Sequence, residues 1–221
     1  MKNLRVFKNI IACTAIVCLS YSQTEPTDAP AAPTADAADV TSLFSDAYTD
    51  VAATWNPSWG QTTVVEDVTI DGNIVKKYSN FTFSGIEPSA TINGSAHTYF
   101  MVDYWTSDAT ELKVKLVDYG ADDAWGTDNV ESELTHALTT GSWGTISLPI
   151  ADFVTAGLTT SSNIGQIVLS AVGATNPVYI DNIYMATIIE LEPTDAPAAP
   201  TADAADVTSL FSDAYTDVAA T

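Results

Sequence analysis

The sequence predicts an all-β fold: an antiparallel β-sandwich of jelly-roll type, present as one complete module over residues 40–187. Three observations carry this expectation. Ten short runs rich in β-branched and aromatic residues follow one another, each bounded by Gly, Asp, Asn, Ser or Pro. No segment holds the helical period long enough to supply the crossover helices that a parallel sheet needs. A chain of 221 residues, once its flanks are set aside, has room for one domain of sandwich size.

The runs are legible in order. "VTSLFS" at 40–45 opens the module. "VEDVTI" at 65–70 and "NIVKKYS" at 73–79 meet at "DGN", a hairpin signal, because Asp-Gly tolerates the left-handed backbone of a two-residue turn. "FTFSGI" at 81–86 follows. "TYFMVDYW" at 98–105 splits into a core phase of Phe100, Val102 and Tyr104 and an opposite phase of Tyr99, Met101, Asp103 and Trp105. "ELKVKLVDY" at 111–119 puts Leu112, Val114 and Leu116 on the core side, with Lys113 and Lys115 opposite. "ESELTHAL" at 131–138 sets Glu131, Glu133 and Thr135 against Leu134. "GTISLPI" at 144–150 runs into "PIADF", the one helical hint, and "NIGQIVLSAV" and "PVYIDNIYM" close the module at 163–172 and 177–185.

The flanks are different in kind. Lys2, Arg5 and Lys8 precede the short apolar run "IIACTAIVCL" and then "SYSQ", the pattern of a secretory signal peptide over residues 1–22. The run is shorter than the roughly 20 residues of a membrane-spanning helix. A lipoprotein signal fits less well, since Cys18 follows Val17, and Cys13 follows too short a run. The expectation is a secreted or cell-surface protein. After residue 22 there are 28 acidic residues against four lysines, with no arginine and no cysteine, a formal charge of about −24. Such a chain repels nucleic acid and anionic lipid. Its stability is expected to rest on a core, with a bound cation as a further source, because it has no disulfide to use.

The thirty residues "EPTDAPAAPTADAADVTSLFSDAYTDVAAT" occur at 25–54 and again, unchanged, at 192–221. A period of 167 residues is far beyond the roughly 20–50 of solenoid units and suits a string of whole domains. Residues 23–39 and 188–206 read as Pro/Ala/Asp-rich spacers, and 207–221 as the truncated start of a second identical module. Only one copy of "VTSLFSDAY" can fill the first-strand slot, and the first copy, continuous with "WNPSWGQ", is expected to fill it.

Three stretches, "GSWGTISLPIADF", "NIGQIVLSAVGATNPVYIDNIYM" and "ELKVKLVDYGADDAWG", occur in an order that resembles the jelly-roll carbohydrate-binding modules of the galactose-binding-like superfamily. With the spacer, the chain resembles the tandem modules of secreted glycoside hydrolases and surface proteins of marine Bacteroidetes. The resemblance covers about residues 40–187. It implies a structural calcium where the first and last strands meet, with Asp181 as a ligand and Asp46 and Asp50 as the candidates for its partner; hard cations take such oxygen sets. It also implies a polysaccharide partner and a catalytic domain encoded beyond residue 221.

If the strands share a sheet, their non-core phases present Tyr99, Asp103, Trp105, Lys113, Lys115 and Glu133 on one face, a mix of flat rings and charged groups suited to a sugar. The bland alternative is a solvated face with cross-strand Lys–carboxylate pairs. Loop aromatics Trp55, Trp59 and Trp125 are a second candidate, against the alternative that they plug the sandwich ends; Trp143 reads as core or edge. Nothing suggests catalysis. There are two histidines and no nucleophile elbow or phosphate loop, and neighbours such as Asp122 and Asp123 are expected from composition. The expectation is a non-catalytic polysaccharide-binding module. Its rival is a calcium-stiffened structural spacer repeat of a surface adhesin.

Overall fold

A computed structural model describes residues 23–188 and 200–209. The signal-peptide reading of 1–22 and most of the second start, 210–221, lie outside the described residues. The chain divides into two compact units between Ile188 and Ile189.

The first unit is a sandwich of two antiparallel sheets. Its strands are β1 Val40–Phe44, β2 Ala53–Trp55, β3 Val64–Ile70, β4 Asn73–Ser79, β5 Phe83–Pro88, β6 Tyr99–Trp105, β7 Glu111–Asp118, β8 Val130–Ala137, β9 Gly144–Pro149, β10 Ile164–Val172 and β11 Val178–Ala186. One sheet runs β3-β4-β11-β6-β9, with β1 also paired to β11; the other runs β2-β5-β10-β7-β8. All ten predicted strands are present. The helical turn is α1, Ile150–Thr155. The three-residue β2 was not foreseen, because so short a run shows no alternation.

The expected hairpin joins β3 to β4, with Asp71 at φ 48° and Gly72 at φ 86°. The core phases fall as predicted. Phe100, Val102 and Tyr104 of β6 meet Leu112, Val114 and Leu116 of β7 across the sandwich, with Ile167 and Leu169 of β10 and Ile180, Ile183 and Met185 of β11. Trp55, read as a loop residue, belongs to β2 and packs inward, edge-on to Phe44 with ring centroids 5.7 Å apart. Lys76 Nζ sits 4.5 Å from each of these two rings and bonds Asp67 Oδ1 at 2.6 Å.

Every residue of β11 is buried, so the outer face of its sheet is covered as well. Much of the cover comes from residues 23–39. They are extended, as their prolines dictate, but they do not hang free. Pro26 is buried, Trp143 Nε1 donates to Asp28 O at 2.6 Å, and Tyr48 OH donates to Ala35 O at 2.9 Å. Beneath this strap lie two apolar patches: Val75, Trp105 and Tyr179, and Met101, Tyr184 and Ala186. The strap continues through a capped turn, Ala37–Asp39, into β1, which pairs Val40 with Ala186 and Thr41 with Met185.

Candidate functional site

The premise that the aromatic and lysine-bearing strands share a sheet does not hold. β6 lies in one sheet and β7 and β8 in the other, so Tyr99, Asp103 and Trp105 are on the opposite side of the molecule from Lys113, Lys115 and Glu133. Period-two alternation tells which residues share a strand face, not which strands are neighbours.

On the β6 side the residues are sequestered. Trp105 is 2% exposed and stands edge-on to Tyr179 at 5.8 Å. Asp103 is buried and accepts from Thr145 Oγ1 at 2.5 Å and Asn182 Nδ2 at 2.7 Å. Tyr99 joins the Met101–Tyr184 patch. A sugar could reach Trp105 or Asp103 only by displacing the strap.

The other sheet has an open outer face, built in cross-strand rows. Gly85 of β5 stands opposite Val168 of β10, Val168 opposite Lys115, and Lys115 opposite Glu133. The adjacent row holds Gln166, Val117 and Glu131, with Gln166 Nε2 bonded to Glu87 Oε1 at 2.8 Å. Lys115 Nζ lies 3.0 Å from Glu131 and Lys113 Nζ 3.8 Å from Glu133. These are the cross-strand pairs anticipated as the bland alternative. Half-exposed pairs of this kind stabilise by about 0–1 kcal/mol, and they leave the ammonium groups in reach of a ligand on this face.

Two strand glycines shape the end of this face. A Cβ on Gly85 would overlap the ring of Trp59, and one on Gly165 would overlap the ring of Tyr119. Each aromatic ring therefore lies against bare backbone, which only glycine allows. With Trp125, Glu87 and Gln166 they line a groove of about 570 Å³. Trp125 is 64% exposed and meets Tyr119 edge-on at 6.0 Å; Trp59 is 37% exposed. Burial, with the Glu87 charge second, pushes the Tyr119 hydroxyl above its usual pKa, and a hydrogen bond from Gln166 opposes this.

The loops carrying these rings are tied down. Asn56, at φ 50°, donates to Thr63 O, while its Oδ1 accepts from Gln61 Nε2 at 2.6 Å and from Ser84 Oγ at 3.1 Å. Buried Asp118 gathers Gly120 N, Thr160 Oγ1 and Asn163 N, each within 2.9 Å. Both platforms are held ready before any ligand arrives, which lowers the ordering cost of binding. Trp125, Lys113, Lys115 and Glu133 are thus the site residues that this face brings together. Tyr119, Glu87 and Gln166 were missed. The available signal was a glycine inside each of two strands, "FSGI" and "NIGQ".

The acidic residues read as calcium ligands converge in part. Asp181 is 1% exposed, opposite Asp103 in the ladder, and bonded to Asn182 N and Asn73 Nδ2, both at 2.7 Å. Burial raises its pKa to about 6 against those bonds, and the Asp103 and Asp46 charges add to the rise. Asp50 instead closes its own turn, accepting from Ser42 Oγ and Ser45 N. The donors at Asp181 are hard oxygens of the right type, and Asn73 Oδ1 beside them is buried without a hydrogen-bond partner. Among the described residues no three His, Cys, Asp or Glu side chains form a group able to hold a metal, so amide or main-chain oxygens would have to complete a shell.

This architecture defines a β-sandwich with one open, aromatic-lined sheet face and one strapped face. No family model matches the chain, and no curated protein matches it. Solved structures do. The chain is similar to the family 11 carbohydrate-binding module of the cellulosomal cellulase Lic26A-Cel5E of Clostridium thermocellum, at 16% identity and TM-score 0.51, over 69% of this chain and 96% of that one. It is also similar to the family 30 carbohydrate-binding module of the cellulosomal cellulase Cel9D-Cel44B of the same organism, at 15% identity and TM-score 0.50, over 67% and 97%. At such identity the likeness is one of fold: the chain has the jelly-roll sandwich of these modules.

Proposed function

We propose that this is a non-catalytic polysaccharide-binding module that tethers a larger secreted protein to glycan. The observation that carries the reading is the groove of Trp59, Tyr119 and Trp125 around the Glu87–Gln166 pair. Flat rings cover the apolar faces of pyranoses, and a carboxylate and an amide serve their hydroxyls. The solved structures of similar fold are named as binding modules of cellulases, which supports this reading. Glu87, Glu131 and Glu133 outnumber Lys113 and Lys115 on the face, so a neutral chain is favoured over an anionic one. Titrating residues 23–188 with a neutral glucan, a neutral xylan and a uronate polymer, followed by tryptophan fluorescence, tests it. Saturable changes are expected with a neutral polymer only. No response to any polysaccharide would favour the structural-spacer reading.

The calcium expectation joins this proposal. Asp181, with Asp46 and the Asn73 amide oxygen, would hold the ion, and its charge would relieve Asp181, Asp46 and neighbouring Asp103, which form no salt bridge among the described residues. Without the ion, Asp181 binds a proton more readily folded than unfolded, since its pKa moves from 3.8 to about 6. Its contribution is therefore fully present below pH 4 and lost as pH rises through about 6, a difference of at most about 3 kcal/mol. In chelator, the melting temperature is expected to fall over that window, and Asp181→Asn to flatten the fall. Millimolar calcium should restore the melting temperature at pH 7 by binding the folded state alone. Identical melting curves with and without chelator would remove calcium from the account.

A further inference from the structure

The strap and β1 occupy a docking site, and the chain contains a second segment of identical sequence. Residues 25–44 lie along the outer face of one sheet, held by Pro26 in its crevice, by bonds from Trp143 to Asp28 O and from Tyr48 to Ala35 O, by the β1–β11 ladder, and by Leu43, 2% exposed in the core. Residues 192–211 repeat these side chains without a change. Within the described part of the second copy, the capped turn repeats its conformation. Asp203 accepts from Ala205 N at 3.1 Å and caps Ala204–Asp206, as Asp36 accepts from Ala38 N at 3.0 Å and caps Ala37–Asp39; the two capping residues have φ/ψ of −65°/132° and −64°/131°.

We propose that this face is a self-recognition site, and that residues 192–211 of one molecule exchange into the strap and β1 slot of a second copy. The match in chemistry is set by sequence identity, and the match in backbone by the repeated capped turn. The occupant needs no new surface: it makes the bonds that residues 25–44 make, and it completes the ladder on β11 that β1 otherwise supplies. Such exchange closes as a dimer where two molecules trade segments reciprocally, and runs on as open chains or rings where they do not. Its extent is set by competition. The resident copy has equal contacts plus the advantage of its tether, an effective concentration on the order of millimolar. At about 100 µM protein, roughly a tenth of the slots would be exchanged. Weakening the resident copy alone should raise that fraction steeply.

The test uses the chain from residue 23 to 221, with light scattering after size-exclusion chromatography over a range of concentrations and circular dichroism as the check on folding. The wild type is expected to show a minor oligomer that grows with concentration. Leu210→Ala, which alters only the second copy, should remove it. Leu43→Ala should raise it from about a tenth of the slots to most of them, since the incoming copy keeps its leucine, and Leu43→Ala/Leu210→Ala, which makes the two copies equal again, should return it to the wild-type level. Monomer alone up to about 1 mM in both the wild type and Leu43→Ala, or oligomers that Leu210→Ala leaves unchanged, would overturn the proposal. Should Leu43→Ala fail to fold, the comparison of wild type with Leu210→Ala decides the matter without it.

Discussion

Trp105→Ala is expected to destabilise the module by about 3–5 kcal/mol, the usual cost of truncating a fully buried aromatic, while the folded fraction keeps its glycan affinity. The sequence reading expects the reverse, an exposed ring that binds sugar and leaves stability alone. The strap explains the difference. Trp105 is 2% exposed, packed against Val75 and Tyr179, with Pro26 and Trp143 beside it. Truncation leaves a cavity beneath the strap at Pro26, so residues 23–36 should also become more sensitive to protease. Urea unfolding of the variant beside the wild type measures the first effect. A loss below about 1 kcal/mol would mean that the strap is not a packed part of the domain.

Trp125→Ala is expected to weaken neutral-polysaccharide binding about 10- to 100-fold, roughly 1.4–2.8 kcal/mol, with almost no change in melting temperature. The ring is 64% exposed, so its removal uncovers little that was buried. Trp59→Ala should lose comparable affinity but also some stability, because that ring rests on Gly85. Calorimetric titration of the three proteins with one neutral polymer gives the affinities. Unchanged affinity in both variants would place the binding surface elsewhere.

The two expected results differ because the residues that alternation assigned to one face belong to two. Strand existence, hairpin position and core phase were legible because they are local: "DGN" dictates its own turn, and Phe100, Val102 and Tyr104 must share a side whatever lies next to them. The candidate site was half legible. Trp125, Lys113, Lys115 and Glu133 do come together, and the Lys–Glu pairing was anticipated. Tyr119, Glu87 and Gln166 carry no motif, and each looks like any loop or strand residue until β5 and β10 are seen side by side. Glycines 85 and 165 marked the place, but a glycine shows only that something approaches, not what.

By itself the sequence determined that this is a β-sandwich, which residues face its core, that its charge is strongly negative, and that residues 25–54 recur at 192–221. Those properties follow from side-chain period, turn chemistry, composition and identity, none of which needs to know where the chain goes. Only the tertiary structure decided which sheet receives each strand, that the proline-rich segment is a strap and not a free spacer, and that Trp105 is cover while Trp125 is surface. Strand order and the docking of an extended segment are set by contacts between residues far apart in sequence, with Asn182 reaching Asp103 and Trp143 reaching Asp28. Such contacts leave no period in the chain that makes them.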